Sequence, residues 1–313
     1  MRKHRIATVI NFCTNETQFL RHTFEEALKF SSEVIAVASS HFFDGSKENR
    51  SLLNQIYAAF PKVLFVEYPY HPDFVPKRLF QILNPTTFWH CFSRLVGFSM
   101  LSDSIDWVLF LDADEIPDGN RFSEWLDFSG YRCYTALKMA NYWYFREPIY
   151  QAKTWEDSIV FLSKKAILPE TLIDPQERCA LYNLLPAPKR RMVIGPDGKP
   201  MFHHFSWVRK KEEMIKKVET WGHRQDRDWK SLIQKEFSHP FNGTDFVHGY
   251  QFIEVPSPFS LDLPLPEGKN PQVHHLSEKE VLRLIKMKKV PFSWSHFFNK
   301  ITFSSLKNSI AQK

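Results

Sequence analysis

The chain has 313 residues, 43% of them hydrophobic and 15% aromatic, enough for one large α/β domain or two smaller ones with a full core. Its net charge of +6 comes from scattered basic residues, which permits contact with phosphates or anionic lipid but does not favour nucleic acid. Cys13, Cys91, Cys133 and Cys179 are too far apart for a zinc knuckle or a disulfide scaffold. No apolar stretch is long enough to span a bilayer, and Met1-Arg2-Lys3-His4-Arg5 leads into a strand rather than a secretory leader. A cytoplasmic protein is expected, at most peripheral to the inner face of a membrane.

Residues 6–12 (IATVINF) read as a strand. Residues 16–30 carry Phe19, Leu20, Phe24, Ala27 and Leu28 at helical spacing, with Asn15 or Thr14 as the N-cap. A second strand covers 34–38, followed by a polar loop through Asp44-Gly45-Ser46 and a helix over 47–59. A third strand covers 63–66, a proline-bearing connection follows, and a helix spans 86–101. The next strand is Trp107-Val108-Leu109-Phe110-Leu111, running directly into Asp112-Ala113-Asp114-Glu115. Strands separated by helices in this way imply a doubly wound, mostly parallel α/β sheet.

The second half changes character. Residues 136–145 and 159–162 read as more polar, aromatic-rich strands, and 179–200 as loop. A short segment, 201–207, carries His203 and His204; a helix over 209–224 puts Met214, Val218 and Trp221 on one face. Residues 252–271 are proline-rich and irregular, 277–286 form a short helix, and an aromatic, basic tail closes the chain. The expected division is one domain over 1–250, with a nucleotide-binding half (1–118) and an acceptor half (119–250), then a C-terminal extension over 251–313.

The acidic tetrad is the chemical signal. Ligands of open α/β sheets bind outside the carboxyl ends of the strands, and Asp112, Asp114 and Glu115 belong at such an end, with Asp114 expected to be exposed there. Clustered carboxylates stay ionised only if a cation or strong donors compensate them. A divalent ion bridging phosphates would do so, since hard cations take oxygen ligands.

This order of elements resembles the GT-A class of nucleotide-sugar glycosyltransferases over about the first 225 residues. The residues that carry the likeness are Asn11, Asn15 and Glu16 after the first strand, Asp44-Gly45-Ser46 after the second, the tetrad after the fourth and a histidine beyond the sheet. The run Met201-Phe202-His203-His204-Phe205-Ser206-Trp207, then Ile215-Lys216-Lys217 and Trp221-Gly222-His223, is similar to segments of family 17 (bisecting N-acetylglucosaminyltransferases) and of bacterial family 2-like enzymes. It departs from that pattern at Trp221-Gly222-His223, which keeps the histidine and lacks the preceding serine.

The resemblance implies a hexosyl- or N-acetylhexosaminyl-transferase that uses a nucleoside-diphosphate sugar (a UDP-sugar first), Mn2+ or Mg2+, and an inverting mechanism. Asp114 would ligate the ion, Asp112 would reach the ribose or the ion, and His204 would complete the metal shell, with His203 as the fallback. Asn11, Thr14, Asn15, Glu16 and Asp44 would grip the nucleotide at the ends of the first two strands, and Arg94 would serve phosphate or structure. An inverting reaction needs a carboxylate base for the acceptor hydroxyl. Glu147, Glu156 and Asp157 are the candidates, with Asp157 ahead because it shares strand parity with Ile159 and Phe161. Trp143, Tyr144 and Trp155 offer faces for an acceptor sugar. The acceptor would be a glycan, a lipid-linked sugar or a protein, and the basic aromatic tail would touch an anionic membrane.

Three other readings compete. A haloacid-dehalogenase-type phosphatase needs its Asp-x-Asp on the first strand, not the fourth. A sugar-nucleotide nucleotidyltransferase needs a glycine-rich turn after the first strand, where this chain has Asn11-Phe12-Cys13-Thr14. A carbohydrate-binding protein without turnover would keep the fold and need not keep the tetrad.

Overall fold

The structure, a computed structural model, describes residues 5–75, 85–221, 224 and 226–286. His223 and the basic aromatic tail lie outside the described residues.

In chain order the strands are β1 (Ile6–Asn11), β2 (Glu33–Ser39), β3 (Leu64–Tyr68), β4 (Trp107–Asp112), β5 (Glu115–Pro117), β6 (Ala136–Phe145), β7 (Glu147–Ala152), β8 (Glu156–Ser163), β9 (Arg190–Val193), β10 (Phe202–Trp207), β11 (Phe252–Glu254) and β12 (Val273–His275). The helices are α1 (Thr17–Ala27), α2 (Arg50–Ala59), α3 (Pro85–Ser99), α4 (Gly119–Phe128), α5 (Ala180–Leu184), α6 (Lys211–Thr220), α7 (Trp229–Glu236) and α8 (Glu278–Lys286).

β1 pairs in parallel with β2 and β4, and β2 with β3. These strands are apolar on both faces because both faces are covered. On β1, Ile6 and Ile10 join a core with Leu20 and Phe24 of α1 and Leu53 and Ile56 of α2. Ala7 and Val9 join an opposite core with Phe88, Phe92 and Val96 of α3. The doubly wound α/β arrangement expected from the sequence is present. Gly97 lets α3 lie close on the sheet, since a Cβ there would collide with Val9; that approach brings His90 and Arg94 to the end of β4.

Beyond β4 the pairing turns antiparallel. β8 lies between β4 and β6, antiparallel to both. β10 then packs between β5 and β6, and its register sets His204 opposite both Glu115 and Trp143. The segment 179–200, read as loop, instead holds α5 and a parallel pairing of β9 with β6. Residues after 250 add β11 beside β7 and β12 beside β3, at opposite ends of the sheet order, and Val281 and Ile285 of α8 enter the α3-side core.

Candidate active site

A cavity of about 490 Å³ opens where the carboxyl ends of β1, β2 and β4 meet β10 and α6. Asn11 and Glu16 line it from the β1 side, Ser39, His41 and Phe43 from β2, and Asp112 and Asp114 from β4. Trp143, Trp207, Trp221 and Trp229 form the facing wall. A pocket outside the carboxyl ends of parallel strands is where an open α/β sheet holds its ligand. Asn11 is 4% exposed, and neither polar atom of its amide has a hydrogen-bond partner within the protein. Buried polar groups are nearly always paired, and this amide lines the cavity with its hydrogen-bonding capacity unused within the protein.

The tetrad is compensated by the protein's own cations. Glu115 is fully buried and takes both guanidinium nitrogens of Arg178, at 2.6 and 2.5 Å. It also accepts the Asp112 backbone N–H at 2.9 Å and the Ser158 hydroxyl at 3.0 Å, so it fixes the turn that follows β4. Asp112 accepts from Arg94 at 2.8 Å, with Arg178 at 3.6 Å and His90 at 3.7 Å. Burial raises the Asp112 carboxyl, but Arg94 and Arg178 override it and hold the group well below the usual carboxylate range.

Asp114 is 2% exposed, not open to solvent as its position at the strand end suggests. The reason is α6, which folds over it. Its Oδ2 accepts from the Lys217 ammonium at 2.7 Å and from Arg209 at 3.4 Å, and its Oδ1 lies 3.6 Å from His204 Nε2. Burial opposes ionisation; Lys217 first, then His204, outweigh it and keep the carboxylate charged. Burial likewise works against charge on His204, but the carboxylates of Asp114 at 3.6 Å and Glu156 at 3.7 Å push its pKa up to about 10. Glu16, buried and facing the charge of Asp114, is raised to about 7.

These residues do not fit the divalent ion expected at Asp112, Asp114 and His204. A ligating imidazole must be neutral, whereas the carboxylates of Asp114 and Glu156 beside His204 favour its charged form. Both oxygens of Asp114 already face cationic donors, and Asp112 is held by two arginines. Among the described residues, no group of three His, Cys, Asp or Glu side chains converges as a metal cage.

Of the other residues singled out in the sequence, Asn11, Asn15, Glu16 and Trp143 line the cavity. Asn15 does not cap α1; its amide donates to Thr220 on α6 at 3.1 Å, across the site. Thr14 turns away from the cavity and binds Glu48 through its hydroxyl and backbone N–H. Asp44 closes its own turn, accepting from the Ser46 N–H and hydroxyl. Arg94 is 1% exposed, bridges Asp112 and Glu177, and is not among the residues that line the cavity. His203 donates to or accepts from Tyr144 at 2.9 Å, and burial lowers it to about 3. Trp155 is 41% exposed and stands perpendicular to the Tyr142 ring, centroids 6.5 Å apart.

The two acceptor-base candidates lie in different surroundings. Asp157 pairs with Lys138 at 3.5 Å and is 38% exposed, away from the cavity lining. Glu156 does not line the cavity either, but it lies directly behind two residues that do, 3.7 Å from His204 Nδ1 and 3.5 Å from His248 Nε2. Parity with Ile159 and Phe161 misleads because both faces of β8 are core: Val160 and Leu162 pack on the other side. The site opens on the face of Ser158, whose hydroxyl reaches Glu115, and Glu156 shares that parity.

Lys217, Arg209, Arg178, Glu177 and His248 went unassigned in the sequence. Lys217 carried a legible signal. It lies three residues after Met214 and four before Trp221, on the apolar face of α6, where a lysine needs a buried partner. The others have no local pattern, since contacts 63 to 95 residues apart in sequence recruit Arg178 and Arg209.

No family model and no curated protein matches the sequence. Among solved structures, a mannosyltransferase from Pyrobaculum calidifontis in complex with GDP-Man and Mn2+ is similar at 10% identity, over 70% of this chain and 62% of that chain, with a TM-score of 0.42. A 4-diphosphocytidyl-2C-methyl-D-erythritol synthase from Anaerococcus prevotii aligns at 10% identity, over 68% of this chain and 94% of its own, with a TM-score of 0.40. TarS from S. aureus, residues 1–349, aligns at 12% identity over 75% of this chain and 70% of that one, with a TM-score of 0.38. These are distant likenesses, and the chain spans about three fifths of the mannosyltransferase's length.

Proposed function

We propose that this chain is a glycosyltransferase that moves a hexosyl or N-acetylhexosaminyl group from a nucleoside-diphosphate sugar to a glycan, lipid-linked or protein acceptor, with inversion. The observation that carries this reading is a cavity in which the carboxyl ends of three parallel strands face a wall of tryptophans. The strand ends offer the unpaired Asn11 amide and charged groups for a polar, anionic donor. Flat indole faces suit sugar rings.

The residues take roles in this scheme. Asn11 reads the nucleoside, and Asp112, held rigid by Arg94 and Arg178, takes a ribose hydroxyl. Glu156 takes the proton of the acceptor hydroxyl. The acceptor oxygen then bonds to the anomeric carbon as the bond from that carbon to the phosphate oxygen breaks. The electron pair of the broken bond stays on the nucleoside diphosphate. Trp143 and Trp221 hold the sugars in place, which converts encounter into a near-unimolecular step.

The test is a panel of UDP-, GDP- and CMP-sugars incubated with the protein, reading nucleotide release with and without Mn2+. Release from one donor, slowed in the absence of acceptor, is the expected result. No release from any donor, together with hydrolysis of simple phosphate esters, would point to a phosphatase instead.

A further inference from the structure

We infer that the ammonium of Lys217, backed by the Arg209 guanidinium, supplies the positive charge for the donor's diphosphate at the place where the sequence predicts a divalent ion. The inference rests on the nucleotide-sugar reading and specifies its phosphate chemistry. Lys217 lies on α6 and lines the cavity, and its side chain is only 10% exposed. Its Nζ donates to Asp114 Oδ2 at 2.7 Å and to Ser206 Oγ at 2.8 Å. An ammonium has three donors, so one is left for a ligand oxygen in the cavity.

Arg209 fixes the second charge. It is 3% exposed, donates to Asn15 O at 2.6 Å, and lies 3.4 Å from Asp114 and 3.5 Å from Glu16. Asp114 therefore acts here as the anchor of two cations. An ion placed on Asp114 would have to displace Lys217 or sit against its charge at low effective dielectric, where like charges repel strongly. A diphosphate entering the cavity meets, in Lys217, a cation already desolvated and positioned among the lining carboxylates Glu16, Asp112 and Asp114, and a fixed cation of this kind stabilises charge developing on a leaving group. The sequence element behind this is the lysine on the apolar face of α6.

The experiment is calorimetric titration of the full chain with UDP, GDP and CDP, in EDTA and then in Mn2+, with Mn2+ binding alone read by electron paramagnetic resonance. The expected result is that one diphosphate binds equally in both buffers, within about threefold. Lys217→Ala should weaken that binding on the order of 100-fold, and Lys217→Arg should keep most of it. Mn2+ alone should not be immobilised by the unaltered protein, and immobilisation at this site would overturn the inference. Binding that is lost in EDTA and restored by Mn2+ overturns the inference and leaves the transferase reading standing; this comparison needs no variant. Failure of every diphosphate in both buffers overturns both.

Discussion

Replacing Arg178 with methionine is expected to lower the melting temperature by on the order of 10 °C, the largest stability loss from any single change at this site. Arg178 is 5% exposed and grips Glu115 with two charge-assisted hydrogen bonds. Its guanidinium also donates to Phe110 O at 3.2 Å and lies 3.6 Å from Asp112. Methionine fills part of the volume but leaves Glu115, which has no solvent access, and Asp112 short of a counter-charge. Breaking a buried pair from one side costs about 3–5 kcal/mol, because the remaining ion is stranded in a poorly solvated place. Lys230→Ala is the control: its bridge to Glu219 joins side chains 58% and 45% exposed, and such pairs contribute little. Thermal unfolding by circular dichroism reads both. Equal melting temperatures for the two variants would show that the buried cluster is not what holds the tetrad.

The second large effect concerns turnover. Glu156→Gln should reduce transfer to acceptor by about 10²- to 10⁴-fold, the usual contribution of a positioned base, with donor binding unchanged. Glutamine keeps the shape and removes the proton acceptor. Asp157→Asn should leave transfer close to that of the unaltered protein, since Asp157 sits on the solvent side with Lys138. The two neighbours thus give opposite results in one assay. Loss of transfer in Asp157→Asn with full activity in Glu156→Gln would reverse the assignment.

The parallel half of the fold could be read from the sequence because its strands are short apolar runs and its helices amphipathic. Val108 and Phe110 pack on one face of β4 and Leu109 and Leu111 on the other, as the continuous apolar run predicted. The position of the tetrad at a strand end followed from the same run. Its electrostatics did not follow, because the partners come from α3, the α5 region and α6. Arg94, Arg178 and Lys217 stand 18, 63 and 103 residues from the carboxylates they hold. A sequence shows three acidic residues together and invites a metal; the fold also brings Arg94, Arg178 and Lys217 against those carboxylates. The register of β10 was similarly silent. His204 alternates with His203 in any extended segment, and only the pairing opposite Glu115 decides which imidazole faces the carboxylates. The short elements α5, β5 and β9 were missed because they are too brief for a periodic pattern and exist through their neighbours.

The central claim is that the cavity at the ends of β1, β2 and β4 holds a nucleoside-diphosphate sugar. Calorimetric titration of the full chain with UDP-, GDP- and CMP-sugars tests it most directly, beside the variant Asn11→Ala, which removes the unpaired amide but no charge and no core volume beyond that side chain. The account predicts one-to-one binding of one donor, competition by its free nucleoside diphosphate, and a loss on the order of tenfold in Asn11→Ala, the cost of about one hydrogen bond to a ligand. No binding of any nucleotide sugar, or binding that Asn11→Ala leaves untouched, would contradict it.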